Sequence, residues 1–333
     1  MSPPPDFPLL SQKAETVIEL PQRLSVLEAV KFDEFVRGFL EKPNAGNQLT
    51  LDCHQVEFID SSGIGALVRI HNTAQSHHIR VVLANLNQTI YSVLAITGLH
   101  EAFEISSPTY DRVAYDIYQL PQQLTDSQVQ PHPSVQSRWK RGLDILGSLV
   151  GLIITGLLFI PIAIAIKLDS PGPILFKQTR CGWMGHRFTM LKFRSMCEDA
   201  EAKKAEIKNE AEGAIFKNKN DPRVTRVGRF LRRTSLDELP QFWNVLRGDM
   251  SLVGTRPPTP DEVAKYDVPA WQRLDVKPGM TGEWQVNGRS EVKNFNDIIQ
   301  LDLRYQSTWN HRHDLKLILQ TILIVFRKNS GAL

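Results

Sequence analysis

The sequence contains little cysteine and no recognisable export signal. Its three cysteines, Cys53, Cys181 and Cys197, are too few and too scattered for a disulfide framework, and none belongs to a Cys-x-x-Cys pair. Residues 1–6 lack the basic start and the apolar core of a secretory signal. These two absences predict that the front of the chain stays in a reducing cytoplasm.

A large net charge is also absent, but the small value hides a strong asymmetry. The formal net charge of the 333 residues is +3. Residues 1–135 contain 8 Lys or Arg against 15 Asp or Glu, a net charge of −7, whereas the rest of the chain contains 31 against 21, a net charge of +10. An acidic part and a basic part favour two domains, which this length can accommodate. Phosphates, nucleic acid and an anionic membrane surface are the partners that suit the basic part.

The acidic part has the pattern of a small α/β domain. Residues 49–59 have the pattern of a buried strand, a turn and another strand, and residues 79–86 have that of a further strand. Residues 60–63 open a helical pattern between the two ranges. Helical patterns at 24–40 and 88–96 would cover the sheet. A strand, a helix and another strand at this spacing predict at least one right-handed crossover between parallel strands.

A linker and a long apolar run follow. Residues 107–137 are rich in Gln, Ser and Pro, which is typical of a linker. Residues 145–166 then form a run of 22 residues without a charge, and a membrane helix needs about 20. A buried core helix is the alternative, although few soluble helices are apolar on every face. The apolar stretch 315–326 is too short to span, so it either lies on a membrane surface or packs in the core.

Two adjacent carboxylates, Asp237 and Glu238, lie among many cations. Residues 217–256 contain nine Lys or Arg against four Asp or Glu. Ser235 and Glu238 have the spacing of a capping box, so a capped helix start is the alternative interpretation. The dipole of a first helical turn favours ionised carboxylates, and such carboxylates among cations suit a metal-bound diphosphate. One carboxylate could act as a nucleophile on phosphorus while the other binds the cation.

A stiff basic loop comes shortly afterwards. Arg256 is followed by Pro257 and Pro258, whose rings restrict the backbone. A guanidinium on such a loop is suited to binding phosphate through paired hydrogen bonds. The loop therefore strengthens the prediction of a phosphate site.

From about residue 138 to its end, the chain resembles the bacterial sugar transferase family. These are monotopic polyprenyl-phosphate phosphoglycosyltransferases, which start exopolysaccharide, O-antigen and glycoprotein glycan assembly. The resemblance implies an α+β domain with a re-entrant membrane helix and interfacial helices, on the cytoplasmic face of the bacterial inner membrane. Six ordered motifs carry it: residues 140–144, 192–196, 235–241, 248–251, 256–257 and 278–289.

The resemblance also implies a role for each matching position. Asp237 matches the nucleophile that takes the phosphosugar covalently and releases UMP, and Glu238 matches the neighbouring acid that binds Mg²⁺. The other positions are three arginines that bind substrate phosphate and three residues that position the nucleotide or a loop: Arg256, Arg232 and Arg194, and Gln285, Asn287 and Arg289.

The front domain, residues 12–108, resembles the STAS domain of anti-sigma factor antagonists. The resemblance rests on residues 58–65, with a strand before them and a helix after them. In the antagonists a partner kinase phosphorylates the first Ser after the Asp, which corresponds to Ser61. The resemblance therefore implies a protein kinase or an anti-sigma-like protein as partner. A helix cap at Ser61 or Ser62 is the alternative.

The predicted organisation has three ranges: a STAS-like domain at 12–108, a linker at 109–137 and a membrane-anchored transferase domain at 138–333. Within the last, residues 143–168 are expected to enter the membrane and return, because the UDP-sugar and the front domain both belong to the cytoplasm. Lys and Arg residues flank this segment on both sides, so there is no charge asymmetry from which the positive-inside rule would predict a crossing. Pro161 provides a place to bend.

The leading hypothesis is transfer of a sugar-1-phosphate from a UDP-sugar to polyprenyl (undecaprenyl) phosphate through an aspartyl phosphosugar, with Mg²⁺ as cofactor. Such a reaction would initiate exopolysaccharide or related glycan assembly. A catalytically idle membrane scaffold, whose STAS-like domain recruits partners, is the alternative. Nucleic acid is not an expected partner, because the basic part has no element that reads base edges. No motif identifies the sugar.

Overall fold

The computed structural model of the protein forms two compact units. Unit one contains the residues up to 132 together with 184–186 and 266–275, and unit two contains the rest. The predicted ranges are contiguous, so the assignment of two later segments to unit one is a finding of the structure. The structure describes residues 9–12, 15–42, 46–106, 131–207, 209–210, 213, 216, 218, 220–287 and 294–326.

Unit one is built on a five-stranded sheet with the order β1-β2-β4-β6-β7. β1 pairs antiparallel with β2, the other neighbours in this sheet are parallel, and β3 and β5 form a separate parallel pair. The strands are β1 (Leu9–Gln12), β2 (Glu15–Glu19), β3 (Arg23–Leu24), β4 (Gln48–Asp52), β5 (Phe58–Ile59), β6 (Arg80–Ala84) and β7 (Glu104–Ser106), and the helices are α1 (Val26–Leu40), α2 (Ser61–Ser76) and α3 (Gln88–Thr97).

The predicted strand, helix and strand of this unit are confirmed as β4, α2 and β6. Leu49, Thr50 and Leu51 of β4 are all buried, so this parallel strand is covered on both faces. α2 begins where Asp60 Oδ1 accepts a hydrogen bond from the backbone N–H of Gly63 at 2.9 Å. Asp60 is therefore the cap, and Ser61 is the first residue of the helix.

Unit two contains eight helices of the α type and two small sheets among the residues described. β8 and β9 pair antiparallel, and β10 and β11 pair parallel. The elements are α4 (Pro133–Gln136), α5 (Arg138–Asp169), β8 (Leu175–Cys181), β9 (Arg187–Phe193), α6 (Arg226–Arg233), α7 (Gln241–Arg247), β10 (Ser251–Val253), α8 (Pro260–Val263), β11 (Gly279–Thr281), α9 (Glu283–Asn287), α10 (Phe295–Ser307) and α11 (His311–Phe326).

α5 has one buried face and one exposed apolar face. In its most apolar stretch only 28% is buried, which excludes the buried core helix considered above. Its 32 residues, about 48 Å of helix, are long and apolar enough to cross a membrane. The helix continues through Pro161, so re-entry would require a bend inside it. Its most exposed apolar side chains are Leu146, Val150, Ile153, Leu157, Ile160, Ile164 and Leu168.

Polar contacts attach both ends of α5 to the rest of unit two. Near its start, Lys140 Nζ lies 2.6 Å from Asp314 Oδ2 of α11. At its end, Asp169 Oδ2 accepts a hydrogen bond from the backbone N–H of Val227 at 3.0 Å. The motif at 140–144 is thus explained structurally, because Arg141 also donates to the carbonyl oxygens at the end of α7.

Candidate active site

A strained turn carries Asp237 and Glu238. α6 ends at Arg233, and Ser235 then adopts the left-handed conformation with φ 57°. A single 3-10 turn, Leu236–Glu238, follows before α7 begins. The alternative interpretation of this motif, a helix start capped by Ser235, is wrong, because Ser235 makes no capping hydrogen bond to this turn. A left-handed non-glycine residue costs conformational energy and is often found at functional sites.

Apolar residues on both sides of the two carboxylates fasten this turn to α5. Leu236 and Leu239 pack against a buried cluster that includes Ile162 and Ile166 of α5. Thr155 Oγ1 also donates a hydrogen bond to the carbonyl oxygen of Leu239 at 3.2 Å. The position of the carboxylates therefore depends directly on the apolar helix.

Basic side chains surround the carboxylates. Asp237 is buried, with 7% of its surface exposed. Arg232 is held by a hydrogen bond of 2.9 Å from its Nε to Ser195 Oγ. Burial lowers the pKa of Arg232, and the negative charges of Asp237 and Glu238 are among those that oppose the shift. Lys192 Nζ lies 2.9 Å from Glu238 Oε1. Both carboxylates thus lie close to positive charge.

A second charged cluster adjoins the first. Arg256 binds Glu262 through two hydrogen bonds, of 2.8 Å and 3.1 Å. Burial would raise the pKa of Glu262, but Arg256 and Arg180 lower it to about 2, so this carboxylate stays ionised. Burial lowers the pKa of Arg180 to about 10, and the positive charge of Arg256 adds to this effect. Glu238 and Glu262 act in the opposite direction on Arg180, which links the two clusters.

Glycines bring two backbone segments together beneath the Arg256 loop. A Cβ on Gly254 would lie 2.1 Å from the carbonyl oxygen of Lys277, and a Cβ on Gly279 would lie 2.1 Å from the backbone N of Gly254. Side chains at either position would separate β10 from β11. The motif that begins at 278 therefore has a structural role, because Gly279 allows close contact with the backbone at Gly254, just before the loop that carries Arg256.

Several predicted residues occupy other surroundings. Arg194 donates to the carbonyl oxygens of Ser170, at 2.7 Å, and Pro171, so its described contacts hold the end of α5. Gln285 and Asn287 lie in α9 at its half-buried and exposed positions, respectively. Arg289 lies outside the described residues. Their predicted roles in substrate binding stay predictions.

Arg180 and Lys192 are basic residues of the site that the sequence analysis did not select. Lys192 belongs to the motif at 192–196, from which only Arg194 was chosen. Side-chain alternation along β9 offered a signal, because Phe193 is buried in the apolar cluster and Lys192 must then face the other side. Arg180 had no comparable local signal, since its neighbours Arg256 and Glu262 are more than seventy residues away in sequence.

The donor groups suit a metal ion that is shared with a substrate. Among the described residues, no group of three or more His, Cys, Asp or Glu side chains is arranged to hold a metal ion. Mg²⁺ commonly uses one or two protein carboxylates and completes its coordination with water and substrate phosphate. Glu238 and Asp237 could supply that number. The residues present therefore fit Mg²⁺ in this limited sense.

Residues 135–328 match the protein family described as "Bacterial sugar transferase", which covers more than half of the chain. The chain belongs to this family. Residues 10–115 match the STAS domain, so both predicted resemblances are confirmed. The structure of the anti-sigma factor antagonist SpoIIAA in its unphosphorylated form is 17% identical and covers 31% of this chain and 89% of its own, with a TM-score of 0.27. A score this low supports no structural argument.

Several curated proteins are similar to this chain over its sugar transferase domain. Galactosyl transferase CpsE of Streptococcus agalactiae is 48% identical over 188 residues, which are 56% of this chain and 42% of CpsE. The undecaprenyl-phosphate galactose phosphotransferase of Salmonella typhimurium is 41% identical over 198 residues, 58% of this chain and 41% of that protein. Exopolysaccharide production protein ExoY of Rhizobium meliloti is 39% identical over 189 residues, 55% of this chain and 83% of ExoY. The chain thus spans about two fifths of the first two relatives.

Proposed function

We propose that unit two transfers a sugar-1-phosphate from a UDP-sugar to polyprenyl phosphate and so initiates the assembly of an exopolysaccharide or a related glycan. The observation that carries this proposal is the buried Asp237 on a strained turn that is surrounded by cations and fastened to an exposed apolar helix. The names of the relatives, which include an undecaprenyl-phosphate galactose phosphotransferase, are consistent with it.

The proposed reaction has two displacements at one phosphorus atom. In the first, a carboxylate oxygen of Asp237 forms a bond to the phosphorus that bears the sugar, and the bond from that phosphorus to the UMP phosphate breaks. UMP leaves with the bonding electrons. In the second, a phosphate oxygen of the polyprenyl phosphate attacks the same phosphorus, the bond to Asp237 breaks, and its carboxylate is restored.

The basic residues would counter the charge of the diphosphate. An anionic nucleophile approaches an anionic substrate only when cations screen their repulsion. Arg232 and Lys192 lie beside the two carboxylates, and Arg256 and Arg180 lie in the adjoining cluster. Arg256 now binds Glu262, which orients its guanidinium. Glu238 would hold Mg²⁺, which neutralises diphosphate charge when it is bound.

The polyprenyl substrate is a lipid, so the site must meet a membrane. The exposed apolar side chains of α5 would lie in it, and we propose that both ends of α5 face the cytoplasm. Its contacts with unit two near Lys140 and Asp169 support this topology. If α5 crossed the bilayer, the polar parts of one folded unit would have to occupy the hydrocarbon region, where unsatisfied polar groups are costly.

The test is an assay of UMP release by the purified protein, first with a panel of UDP-sugars alone and then with polyprenyl phosphate added. We expect a small burst of UMP with a matching sugar-phosphate adduct before the lipid is added, and turnover afterwards. Asp237→Asn should lose both, because an amide is not a competent nucleophile. Turnover by that variant would reject the covalent route, and inactivity of the wild-type protein with every sugar would favour the idle scaffold.

A further inference from the structure

The N-terminus of α2 in unit one is covered by the two later segments that belong to this unit. Ser61, the first residue of α2, is fully buried. Its backbone N–H donates to Asp275 Oδ1 at 3.1 Å, and its hydroxyl lies 3.4 Å from Met184 Sδ. A serine that an external enzyme modifies must be reachable, and in this arrangement Ser61 is not.

Residues 266–275 fit closely on the next turns of α2. Trp271 packs flat against Gly65, where an added Cβ would lie only 2.4 Å from Trp271 Cγ. Arg69 donates from Nη1 to the carbonyl oxygen of Tyr266 at 3.0 Å. Within the segment, the fully buried Arg273 donates to Tyr266 Oη at 2.6 Å and fixes its shape. Apolar packing, a hydrogen bond and a carboxyl group at the helix terminus thus act together.

We propose that residues 266–275 are an intramolecular ligand of the STAS domain, held on the first turns of α2, and that a phosphoryl group or a protein partner reaches Ser61 only after this segment has left. The proposal goes beyond the transfer reaction and does not depend on it. The phosphoryl donor would be a nucleoside triphosphate used by a kinase: Ser61 Oγ bonds to the γ-phosphorus, the nucleoside diphosphate leaves, and the hydroxyl proton passes to a base of the kinase.

Charge and space make the two states exclusive. Asp275 already places a carboxylate at the N-terminus of α2, where the helix dipole and backbone N–H groups favour an anion. A phosphoserine at Ser61 would add a charge of about −1.5 to −2 beside Asp275 and Asp60. Ser61 is buried against this segment, so the phosphate has no room while the segment is bound.

The covalent chain offers a route from this contact to unit two. Tyr266 begins the bound segment, and only three residues separate it from Glu262. Glu262 is the partner of Arg256. The contact of this segment with α2 therefore lies close in sequence to the Arg256 loop.

Hydrogen–deuterium exchange of the purified 333-residue protein in detergent tests the proposal without any activity measurement. Gly65→Ala inserts a methyl group into Trp271, and Ser61→Glu adds a negative charge beside Asp275. We expect both to speed exchange of peptides within 266–275 at least about tenfold. Ser61→Ala and Gly38→Ala are the matched controls, and the latter places its methyl in open space on α1. Both should exchange as the wild type does.

A variant on the segment side guards against loss of the STAS fold. Trp271→Ala leaves α2 unchanged in sequence but removes the ring that covers Gly65, so exchange at residues 61–66 should rise while the central strands β4 and β6 stay protected. Equal protection of 61–66 in Trp271→Ala and the wild type would overturn the proposal. So would unchanged exchange of 266–275 in both Gly65→Ala and Ser61→Glu.

Discussion

Glu238 forms a half-buried ion pair with Lys192 beside the proposed nucleophile. This pairing gives Glu238 two tasks, since the same carboxylate would orient Lys192 and hold Mg²⁺. An amide at this position keeps the shape but loses the charge on which both tasks depend. We therefore expect a substitution at Glu238 to weaken cation binding first.

Glu238→Gln should make UMP release depend more steeply on Mg²⁺, with the half-saturating concentration raised by about tenfold or more, a loss of about 1.4 kcal/mol. The measurement is a magnesium titration of initial rate at saturating UDP-sugar. Lys192→Met is the informative companion, because it removes the ion pair but keeps the carboxylate. An unchanged magnesium dependence in Glu238→Gln would remove Glu238 from the metal site.

Asp275 should make the segment contact depend on pH. Burial raises the pKa of Asp275 to about 7, and the nearby charge of Asp60 adds to the shift, although hydrogen bonds from Ser61 oppose it. An unfolded Asp has a pKa of about 3.9. Between these values the bound state holds a proton that the free state lacks, so stability must fall as pH rises from about 4 to 7 and level off above.

The check is the free energy of opening at residues 61–66, measured by hydrogen exchange from pH 5 to 8. In the wild type it should decrease with pH and flatten above pH 7. Asp275→Asn cannot titrate, so the same free energy should vary less over this range. Parallel curves for the two proteins would show that Asp275 titrates at its ordinary value.

At the scale of elements, a buried network joins α5 to α11. Lys140 and Tyr305 Oη both bind Asp314, and Trp309 Nε1 donates to the same carboxylate at 3.1 Å. Lys140 also donates to the carbonyl oxygen of Val253 at 2.9 Å, which includes β10. α5, α10 and α11 therefore meet at one carboxylate, β10 joins them through Lys140, and α11 is held against the start of α5.

Lys140→Met should lower the free energy of unfolding by about 3–5 kcal/mol, because it leaves Asp314 buried without its cation. Thermal unfolding in detergent measures the loss. Lys203→Met is the matched control, since Lys203 pairs with Asp199 at 2.6 Å but both side chains are about half exposed. Such a surface pair contributes little to stability, because water and salt screen it. Equal effects of the two substitutions would argue against a buried network.

Local patterns predicted the elements well where one face of an element decides its burial. β4, α2 and β6 follow directly from the spacing of apolar residues, as does α5. The turn at Ser235 was missed because a capping-box spacing describes only side chains, whereas Ser235 has a left-handed backbone next to Leu236 and Leu239, which pack on α5. Sequence reasoning has no access to such tertiary constraints.

The site was predicted only as far as single motifs allow. Asp237, Glu238 and Arg256 were predicted from their neighbours in sequence, and Arg232 from the resemblance to the family. Arg180 approaches them only because distant segments fold together, and no periodic pattern in the sequence predicts this. The contact of residues 266–275 with α2 was not predicted for the same reason. The two segments are about two hundred residues apart in sequence, and their contact depends on the fit of Trp271 against Gly65.

At the scale of the whole molecule, the contacts of α5 bear on how it meets the membrane. A helix that crosses a bilayer has its two ends in different compartments. Here Asp144, near one end, accepts a hydrogen bond from Ser251 at 2.9 Å, and Asp169, at the other, accepts one from Val227. Ser251 and Val227 belong to the same folded unit. Leu239 of this unit also accepts a hydrogen bond from Thr155, in the middle of α5. Both ends should therefore lie on one side.

Single cysteines at Ser137 and Ser170, the residues that flank α5, should be protected from a membrane-impermeant thiol reagent in intact cells and labelled once the membrane is opened. Cys197→Ser provides the background, because Cys53 and Cys181 are buried. Lys203→Cys, on an exposed side chain of the same unit, serves as the reference, because the proposed topology places it on the cytoplasmic side as well. Labelling of either flanking position from outside would contradict the proposed topology, because that topology keeps both ends of α5 on the cytoplasmic side.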